Sequence, residues 1–326
     1  MTRVAVIGTI NHDRIIAPDG AVHEDLGGIL YNVLTLAPFA GEDVRVVPVA
    51  RLGAEQRPEV ERLLASRSNV DLSRLLWSDS GTNETVLRYL GPDEREETLI
   101  ERIEPLTAGD LAFARECDLL LVNMIWGKEV TPPLLALLAS GGAPLLLDIQ
   151  SLTLTFQSGP DRGYRNIPEW REWARPASMI KGNEEEVRWF LGEGGPFGGT
   201  LREGAELLLG AGPAAAVITR ATAGFSLAWK TASGVRWMEA PAVPVPREEW
   251  ADMTGCGDAF TSGYALGLLR GESPPEAALL GAALGALVCR TRGLRALRNL
   301  GDPLALREAA YGDLLRALRE RAPEGR

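Results

Sequence analysis

Residues 250–270 read Trp-Ala-Asp-Met-Thr-Gly-Cys-Gly-Asp-Ala-Phe-Thr-Ser-Gly-Tyr-Ala-Leu-Gly-Leu-Leu-Arg, a glycine-rich turn followed by apolar residues at helical spacing, among them Phe260, Tyr264 and Leu268. A turn of this kind at the start of a helix directs several backbone N–H groups at one point, where the helix dipole adds partial positive charge. Asp258 lies at the edge of the turn, and its carboxylate can accept a proton. An anion site beside a base suits transfer of a phosphoryl group to a hydroxyl.

The same stretch has a simpler interpretation, because an Asp near a helix start is also a favoured cap. Taken alone, such a run is more often a capped turn than an active site. It is not a dinucleotide fingerprint, since Phe260 occupies the third glycine position, and the chain has no Gly-Lys-Ser/Thr of a Walker A loop.

The run Asp252-Met-Thr-Gly-Cys-Gly-Asp258 resembles the signature of the ribokinase-like (PfkB) carbohydrate kinase family, Asp-Thr-Xaa-Gly-Ala-Gly-Asp, with Met253 for the usual Thr and Cys256 for the usual Ala. The resemblance implies that Asp258 is the catalytic base. It also implies that the amides of Gly255, Cys256, Gly257 and Asp258 form the anion hole. Asp252 and Thr254 would shape a loop for a monovalent cation such as K⁺, as in ribokinase itself. Because a thiol at a helix N-terminus can have a lowered pKa, we expect Cys256 to be reactive.

Composition excludes several other classes. The chain has 326 residues, 45% hydrophobic and 24% charged, with a net charge of −10, so a nucleic-acid or anionic-membrane surface is not expected. No apolar run is long enough to span a bilayer, and no signal peptide precedes the first strand-like segment. Three separated cysteines fit a reduced, cytoplasmic protein, and with only two histidines the general base is expected to be a carboxylate.

Alternating apolar segments predict a doubly wound, mainly parallel α/β sheet flanked by helices. The predicted strands are 3–10, 44–50, 118–123, 144–149, 177–181 and 214–219, with an antiparallel hairpin at 225–229 and 235–240. The predicted helices are about 29–39, 55–64, 131–140, 184–191, 200–210, 275–290 and 302–320. The resemblance implies one ribokinase-like kinase domain over residues 1–326, with a small β lid from segments of approximately 12–27 and 82–104. The second segment contains a hairpin around a Pro-Asp turn at 91–94.

Polar residues at the ends of early elements suggest the acceptor site. Asn11 and Asp13 follow the first strand, where ligands bind in open α/β sheets, although they can also simply form a turn. In the family, residues at these positions hold sugar hydroxyls. Gly27 and Gly28 with Asn32 resemble the first family signature, in which the glycines approach the substrate and the Asn faces the sugar. We expect His12 to be a spacer whose side chain points to the other face.

Later residues suggest the nucleotide site. Asn183 and Glu186 match the family's Asn-Xaa-Xaa-Glu, which implies a role with Mg²⁺, directly or through water, although an Asn cap with an acidic first turn explains the same pattern. Lys181 can reach phosphate as a point charge. Thr219 and Gly224 match the family's phosphate-contacting Thr-Xaa-Gly in part.

Two further features follow the predicted strand 144–149. Asp148-Ile-Gln-Ser-Leu152 lacks the Arg of the usual Asp-Xaa-Asn-Xaa-Arg, and residues 150–175 form a long connection of the kind that is often functional.

The resemblance as a whole implies an ATP- and Mg²⁺-dependent kinase that phosphorylates a hydroxymethyl group of a sugar or sugar-like small molecule. A nucleoside kinase of the same family and a non-catalytic sugar- or nucleotide-binding regulator remain alternatives. No nucleic-acid or membrane partner is expected, and a homodimer through the lid stays open.

Overall fold

The computed structural model describes residues 1–90, 95–155 and 162–320, with only the backbone of residues 89 and 95. The strands of this part of the chain are β1 (Thr2–Ile7), β2 (His12–Ile16), β3 (Val22–Leu26), β4 (Val44–Gly53), β5 (Leu75–Ser78), β6 (Glu84–Tyr89), β7 (Arg95–Ile100), β8 (Leu119–Asn123), β9 (Leu145–Asp148), β10 (Met179–Asn183), β11 (Ala215–Thr219), β12 (Phe225–Thr231) and β13 (Gly234–Ala240).

The α-helices over the same residues follow the predicted alternation with strands. They are α1 (Leu30–Ala40), α2 (Arg57–Leu64), α3 (Ala108–Leu111), α4 (Pro132–Ala139), α5 (Trp170–Ala174), α6 (Glu184–Leu191), α7 (Leu201–Ala211), α8 (Cys256–Leu269), α9 (Pro274–Cys289) and α10 (Pro303–Glu320). Each predicted helix is present with shifts of a few residues at its ends. No helix in the described ranges is long and apolar enough to cross a bilayer.

The large sheet has the strand order β13-β12-β11-β10-β9-β8-β1-β4-β5. Its strands run parallel from β5 to β11, and the β12–β13 hairpin is antiparallel. Side chains alternate between two cores, because successive residues of a strand point to opposite faces. In β1, Val4 and Val6 pack with α1, α2, α8, α9 and α10, whereas Ala5 and Ile7 pack with α3 to α7. The predicted doubly wound α/β sheet is therefore confirmed.

Strand order reverses beside β1, since β4 lies on one side of it and β8 on the other. In open α/β sheets a crevice forms at such a point, outside the carboxyl ends of the strands. Helix α8 begins at this edge, and the polar ends of β8, β9 and β10 meet there.

A second sheet of four strands, in the order β3-β2-β6-β7, covers this crevice as the predicted lid. Strand β2 pairs with β6 in parallel, and the β6–β7 hairpin is antiparallel as predicted. The Pro-Asp turn of that hairpin lies at residues 91–94, outside the described residues. Asp25, Asp13, Thr85 and Leu99 are cross-strand neighbours, so they share one face of the lid.

Candidate active site

The turn before α8 brings the backbone against a tyrosine ring. Gly255 is the N-cap of α8, with φ of 81°, in the left-handed region. A Cβ at this position would lie 2.1 Å from Cδ1 of Tyr31, so both the conformation and the contact require glycine. Tyr31 was not singled out from the sequence; its ring fixes how closely the turn approaches α1.

Asp258 follows in the first turn of α8 and is buried, with 5% of its surface exposed. The side-chain amide of Asn123 donates to its Oδ1 at 2.7 Å and to Oδ1 of Asn32 at 2.9 Å. The Asn32 amide in turn donates to the backbone oxygen of Asp258 at 2.8 Å. Asn32, implied to face the sugar, is fully buried in this structure and holds the start of α8 against α1.

A buried ion pair lies on the other side of the turn. Lys181 Nζ donates to Asp148 Oδ2 at 2.8 Å, and the Thr261 hydroxyl donates to the same oxygen at 2.7 Å. A Cβ at Gly257 would lie 3.0 Å from Lys181 Nζ, so the ammonium group reaches the glycine turn. Asp148 Oδ1 is buried without a hydrogen-bond partner among the described residues.

Three of these partners were not predicted as site residues: Asn123, Asp148 and Thr261. Asn123 and Asp148 end buried strands of a parallel sheet, and a polar residue at that place is the signal that could have identified them. Thr261 lies one turn after Gly257 on α8, where nothing in the sequence marks it.

The two carboxyl groups near the turn have raised pKa values. Burial, and then the charge of Asp148, raises the pKa of Asp258 to about 6, against the lowering effect of Lys181 and the Asn123 hydrogen bond. Burial also raises the pKa of Glu186 to about 7, although Lys181 lowers it. At neutral pH Asp258 is therefore ionised and still basic enough to accept a proton.

Glu186 forms a capping box with Asn183. Its Oε2 accepts from the Asn183 backbone N–H and its Oε1 from the Asn183 side chain, both at 2.7 Å, while Asn183 Oδ1 accepts from the Glu186 N–H at 2.9 Å. This box by itself explains the Asn-Xaa-Xaa-Glu spacing as a helix start. The carboxylate nevertheless lies within electrostatic reach of Lys181, Asp148 and Asp258.

The predicted acceptor residues converge at the base of the lid. Asn11 donates to Asp13 Oδ1 and, at 3.1 Å, to the Thr85 hydroxyl, and its own Oδ1 is buried without a partner in the described part of the chain. A Cβ at Gly27 would lie 2.1 Å from Asp13 Oδ2, and one at Gly28 would lie 2.0 Å from the Thr9 carbonyl oxygen. Gly27 is therefore needed for the backbone to pass beside Asp13, and Gly28 for it to pass beside the Thr9 carbonyl.

Asp13 also has a strongly raised pKa. Burial, followed by the charges of Glu97, Asp25 and Asp258, raises its pKa to about 8. His12 lies on the opposite face of β2, as expected, with its Nε2 3.9 Å from Glu24 Oε2.

Comparisons with known proteins show what the chain resembles. A profile of the family described as "pfkB family carbohydrate kinase" matches residues 160–299. The predicted resemblance to the ribokinase-like family is confirmed. The enzyme class implied by the signature, a phosphotransferase with an alcohol acceptor, is confirmed with it.

Two relatives show the range of the resemblance. A cytidine kinase of Thermococcus kodakarensis is 28% identical over 303 residues, covering 86% of this chain and 94% of the relative. An inositol 3-kinase of Zea mays is 28% identical over 299 residues, covering 86% of this chain and 70% of the relative.

Solved structures share the fold. The ribokinase of Arabidopsis thaliana complexed with ribose and ATP has a TM-score of 0.72 at 18% identity, covering 94% of this chain and 97% of its own. A pyrophosphate-dependent kinase of the ribokinase family, complexed with a pyrophosphate analog and myo-inositol, has a TM-score of 0.71 at 21% identity, covering 90% and 96%.

The residues expected on the nucleotide side, Thr219 and Gly224, lie farther along the same sheet edge. Thr219 ends β11 beside Asn183 of β10. Gly224 has φ of 93°, and a Cβ there would lie 2.0 Å from the Ala240 carbonyl oxygen, so the packing of the β12–β13 hairpin accounts for this glycine.

The residues implied for a monovalent cation form a local turn. Asp252 Oδ1 accepts from the Thr254 N–H at 2.9 Å, and the Thr254 side chain is exposed. Among the described residues no group of three or more His, Cys, Asp or Glu side chains is placed to hold a metal ion.

The expected reactivity of Cys256 is wrong for this structure. Burial, followed by the neighbouring Cys289 thiol, raises the pKa of Cys256 instead of lowering it. The helix N-terminus does not compensate for the loss of solvent around a charged sulfur, so the thiol stays protonated at neutral pH.

Proposed function

We propose that this chain, as a single kinase domain, transfers the γ-phosphate of ATP to a hydroxymethyl group of a sugar or sugar-like molecule. The observation that supports the proposal most directly is the placement of Asp258. Its carboxylate is buried at the first turn of α8, oriented by Asn123 and faced by Lys181 across the glycine turn.

In this mechanism Asp258 takes the proton from the acceptor hydroxyl as that oxygen attacks the phosphorus atom. Asn123 holds one carboxylate oxygen, which leaves the other for the hydroxyl. The first turn of α8 directs amide N–H groups and the positive end of its dipole at the transferred group. We assign this anion hole to residues 255–258. In this structure the Cys256 N–H donates to the Met253 carbonyl oxygen at 3.3 Å.

On the acceptor side we assign Asn11 and Asp13 to the sugar hydroxyls, and Gly27 and Gly28 to the close approach of the backbone. Asn11 Oδ1, buried and unpartnered in the described residues, is the acceptor atom that a bound hydroxyl would satisfy. Asn32 contributes by holding Asp258 in place.

On the nucleotide side we assign Lys181, Asn183, Thr219 and Gly224 to the phosphates and ribose. The donor set fits Mg²⁺, which prefers oxygen ligands and keeps several waters. Glu186 would hold it through water, since both of its oxygens also accept from Asn183, and Asp148 Oδ1 is a buried oxygen with no other partner in the described residues. When bound, Mg²⁺ neutralises charge on the phosphates. A K⁺ site at Asp252 and Thr254 and a homodimer through the lid remain predictions.

A nucleoside kinase is the second candidate, because the cytidine kinase relative aligns over 94% of its own length. A non-catalytic regulator is disfavoured, since Asp258 and both flanking glycines are retained and the carboxylate is positioned by Asn123.

The test is a phosphorylation screen with ATP and Mg²⁺ over sugars, inositols and nucleosides, with pyrophosphate as an alternative donor. Asp258→Asn keeps the shape and removes the base, so kcat should fall by about 10²–10⁴ with little change in ATP affinity. Asp79→Asn, at an exposed carboxylate, is the matched control. Near-normal turnover of Asp258→Asn would remove this residue from the mechanism, and a wild type that phosphorylates nothing would refute the function.

A further inference from the structure

Arg162, in the long connection after β9, is buried with one corner of its guanidinium group unpaired. Its side chain is 3% exposed. Nη1 donates to Glu97 Oε1 of β7 at 2.8 Å, and Nε donates to the Thr155 carbonyl at 3.2 Å. Nη2 is buried and has no hydrogen-bond partner in the described chain. Because the guanidinium group is planar and rigid, the hydrogen bonds of Nε and Nη1 also fix the direction of Nη2.

The register of the lid strands places Glu97 on the same face as Asp13. Asp13 pairs with Thr85 and Thr85 with Leu99, so these residues point the same way. Glu97 precedes Leu99 by two residues on β7 and therefore shares that face. The charge of Glu97 is also the largest electrostatic influence on Asp13 after burial. Through Glu97, Arg162 therefore lies at the β7 end of the lid face that carries Asp13, the proposed acceptor-binding carboxylate.

Uncharged hydrogen-bonding atoms of the connection after β9 and of the acceptor site also lack partners among the described residues. Gln150 Oε1 and Thr155 Oγ1 belong to the same connection as Arg162, and Asn11 Oδ1 belongs to the acceptor site. Each is buried without a partner among the described residues. Leaving a buried polar group unpaired is costly, and a ligand that carries several hydroxyl groups would satisfy atoms of this kind.

The charges on this face disfavour an anion. Asp13, with a pKa of about 8, is mostly protonated at neutral pH, so the negative charges on and beside this face are those of Asp25, Glu97 and Asp258. Arg162 is paired with Glu97, which neutralises it. A phosphate or carboxylate on the acceptor would therefore meet more negative than positive charge.

We propose that the lid face closed by the Arg162–Glu97 pair binds the non-reacting part of the acceptor through hydroxyl groups. The enzyme would accordingly take uncharged polyhydroxyl acceptors and discriminate against phosphorylated analogues. This inference rests on the proposed kinase function and specifies the substrate class of the same site. Arg162 is assigned as a specificity-determining residue whose Nη2 donates to an acceptor oxygen.

The experiment compares matched neutral and anionic acceptors: fructose with fructose 6-phosphate, myo-inositol with myo-inositol 1-phosphate, and cytidine with cytidine 3′-monophosphate. Turnover with ATP and Mg²⁺ gives kcat/KM, and calorimetry measures binding of the same compounds without turnover. For the pair that the wild type uses, we expect the neutral member to be favoured by about a hundredfold or more. Equal or preferential use or binding of the anionic member would overturn the inference while leaving a kinase function intact.

Variants test the role of Arg162 itself. Arg162→Met should raise the acceptor KM by about ten- to a hundredfold, the worth of a hydrogen bond to a charged group, with an unchanged KM for ATP. Arg162→Lys keeps the charge but loses the planar fork, so it should be intermediate. Glu97→Gln should shift the preference toward the anionic member by about tenfold, because Arg162 is then unneutralised.

Arg165→Met is the matched control, since Arg165 Nε likewise donates to a backbone carbonyl of this connection, that of Leu154. Circular dichroism checks that each variant is folded. If the acceptor KM of Arg162→Met equals that of Arg165→Met, or if Glu97→Gln leaves the charge preference unchanged, the assignment fails. If the wild type neither binds nor phosphorylates any of these compounds, the proposed function fails with it.

Discussion

The pH dependence of turnover offers a direct test of the electrostatics around Asp258. As the proposed base, Asp258 must be ionised, and burial together with Asp148 raises its pKa from 3.8 to about 6. We therefore expect kcat to be constant above about pH 7 and to fall about tenfold for each unit below pH 6, reaching roughly one tenth of the plateau at pH 5. An unperturbed Asp would show no such fall until about pH 4.

Substitutions in the Lys181–Asp148 ion pair should shift the acid limb of the pH–rate profile, the fall of kcat at low pH, in opposite directions. Lys181 lowers the pKa of Asp258 and Asp148 raises it. Lys181→Met should accordingly shift the acid limb to higher pH, and Asp148→Asn should shift it to lower pH. Both variants should lose some maximal rate, because Lys181 is also assigned to the proposed phosphate site, but the pH at which the rate falls is independent of that loss.

The assay is initial-rate kinetics at saturating ATP and acceptor from about pH 4.5 to 9, with circular dichroism at each pH to confirm folding. Lys230→Met serves as the control, because Lys230 bonds the Gly212 carbonyl at the surface, and its limb should coincide with that of the wild type. A wild-type limb near pH 4, or shifts of both variants in the same direction, would refute this account of the base.

Three further predictions follow from burial and backbone geometry. Because Asp13 has a folded-state pKa of about 8 and an unfolded pKa of 3.8, the free energy of unfolding should fall as the pH rises between these values. In urea titrations Asp13→Asn should therefore be more stable than the wild type near pH 8 but not near pH 4, and a difference that does not change with pH would contradict this. Cys256→Ala should retain kcat. A bulky thiol reagent should modify Cys256 of the wild type only slowly at neutral pH, as followed by mass spectrometry over time, and rapid labelling would refute the raised pKa. Gly255→Ala should destabilise the fold more than Gly142→Ala, because both positions have a positive φ but, of the two, only Gly255 lies against Tyr31. The positive φ alone costs about 1–2 kcal/mol. Equal losses in denaturant titration would exclude the clash with Tyr31.

Much of the fold was predictable from local patterns. Continuous apolar runs such as Leu119–Val122 mark strands buried on both faces, and apolar spacing with caps marks the helices between them. The glycine turn and Asp258 were identifiable from seven residues, because a phosphate-binding turn depends on backbone that only glycine provides and on one adjacent carboxylate. Asn11 and Asp13 were predicted as acceptor residues from their position after the first strand, and Gly27 and Gly28 from their resemblance to a family signature.

What surrounds these residues was decided by tertiary structure. Asn123 lies 135 positions before Asp258 and contacts it because β8 ends beside the start of α8. Arg162 meets Glu97 only because the connection after β9 folds against the lid. Local sequence specifies φ/ψ and periodicity, but not which distant side chain reaches a given atom.

The pKa values of the side chains at the turn were also decided by tertiary structure. From the sequence Cys256 had the position of a reactive thiol, whereas in the fold burial raises its pKa; the same loss of water brings Asp258 to a pKa of about 6. The sequence by itself determined which residues are present at the turn and predicted that their backbone binds an anion. Burial and neighbouring charges exist only once the sheet, α8 and the lid are assembled, and they determine which of those residues can act as a base.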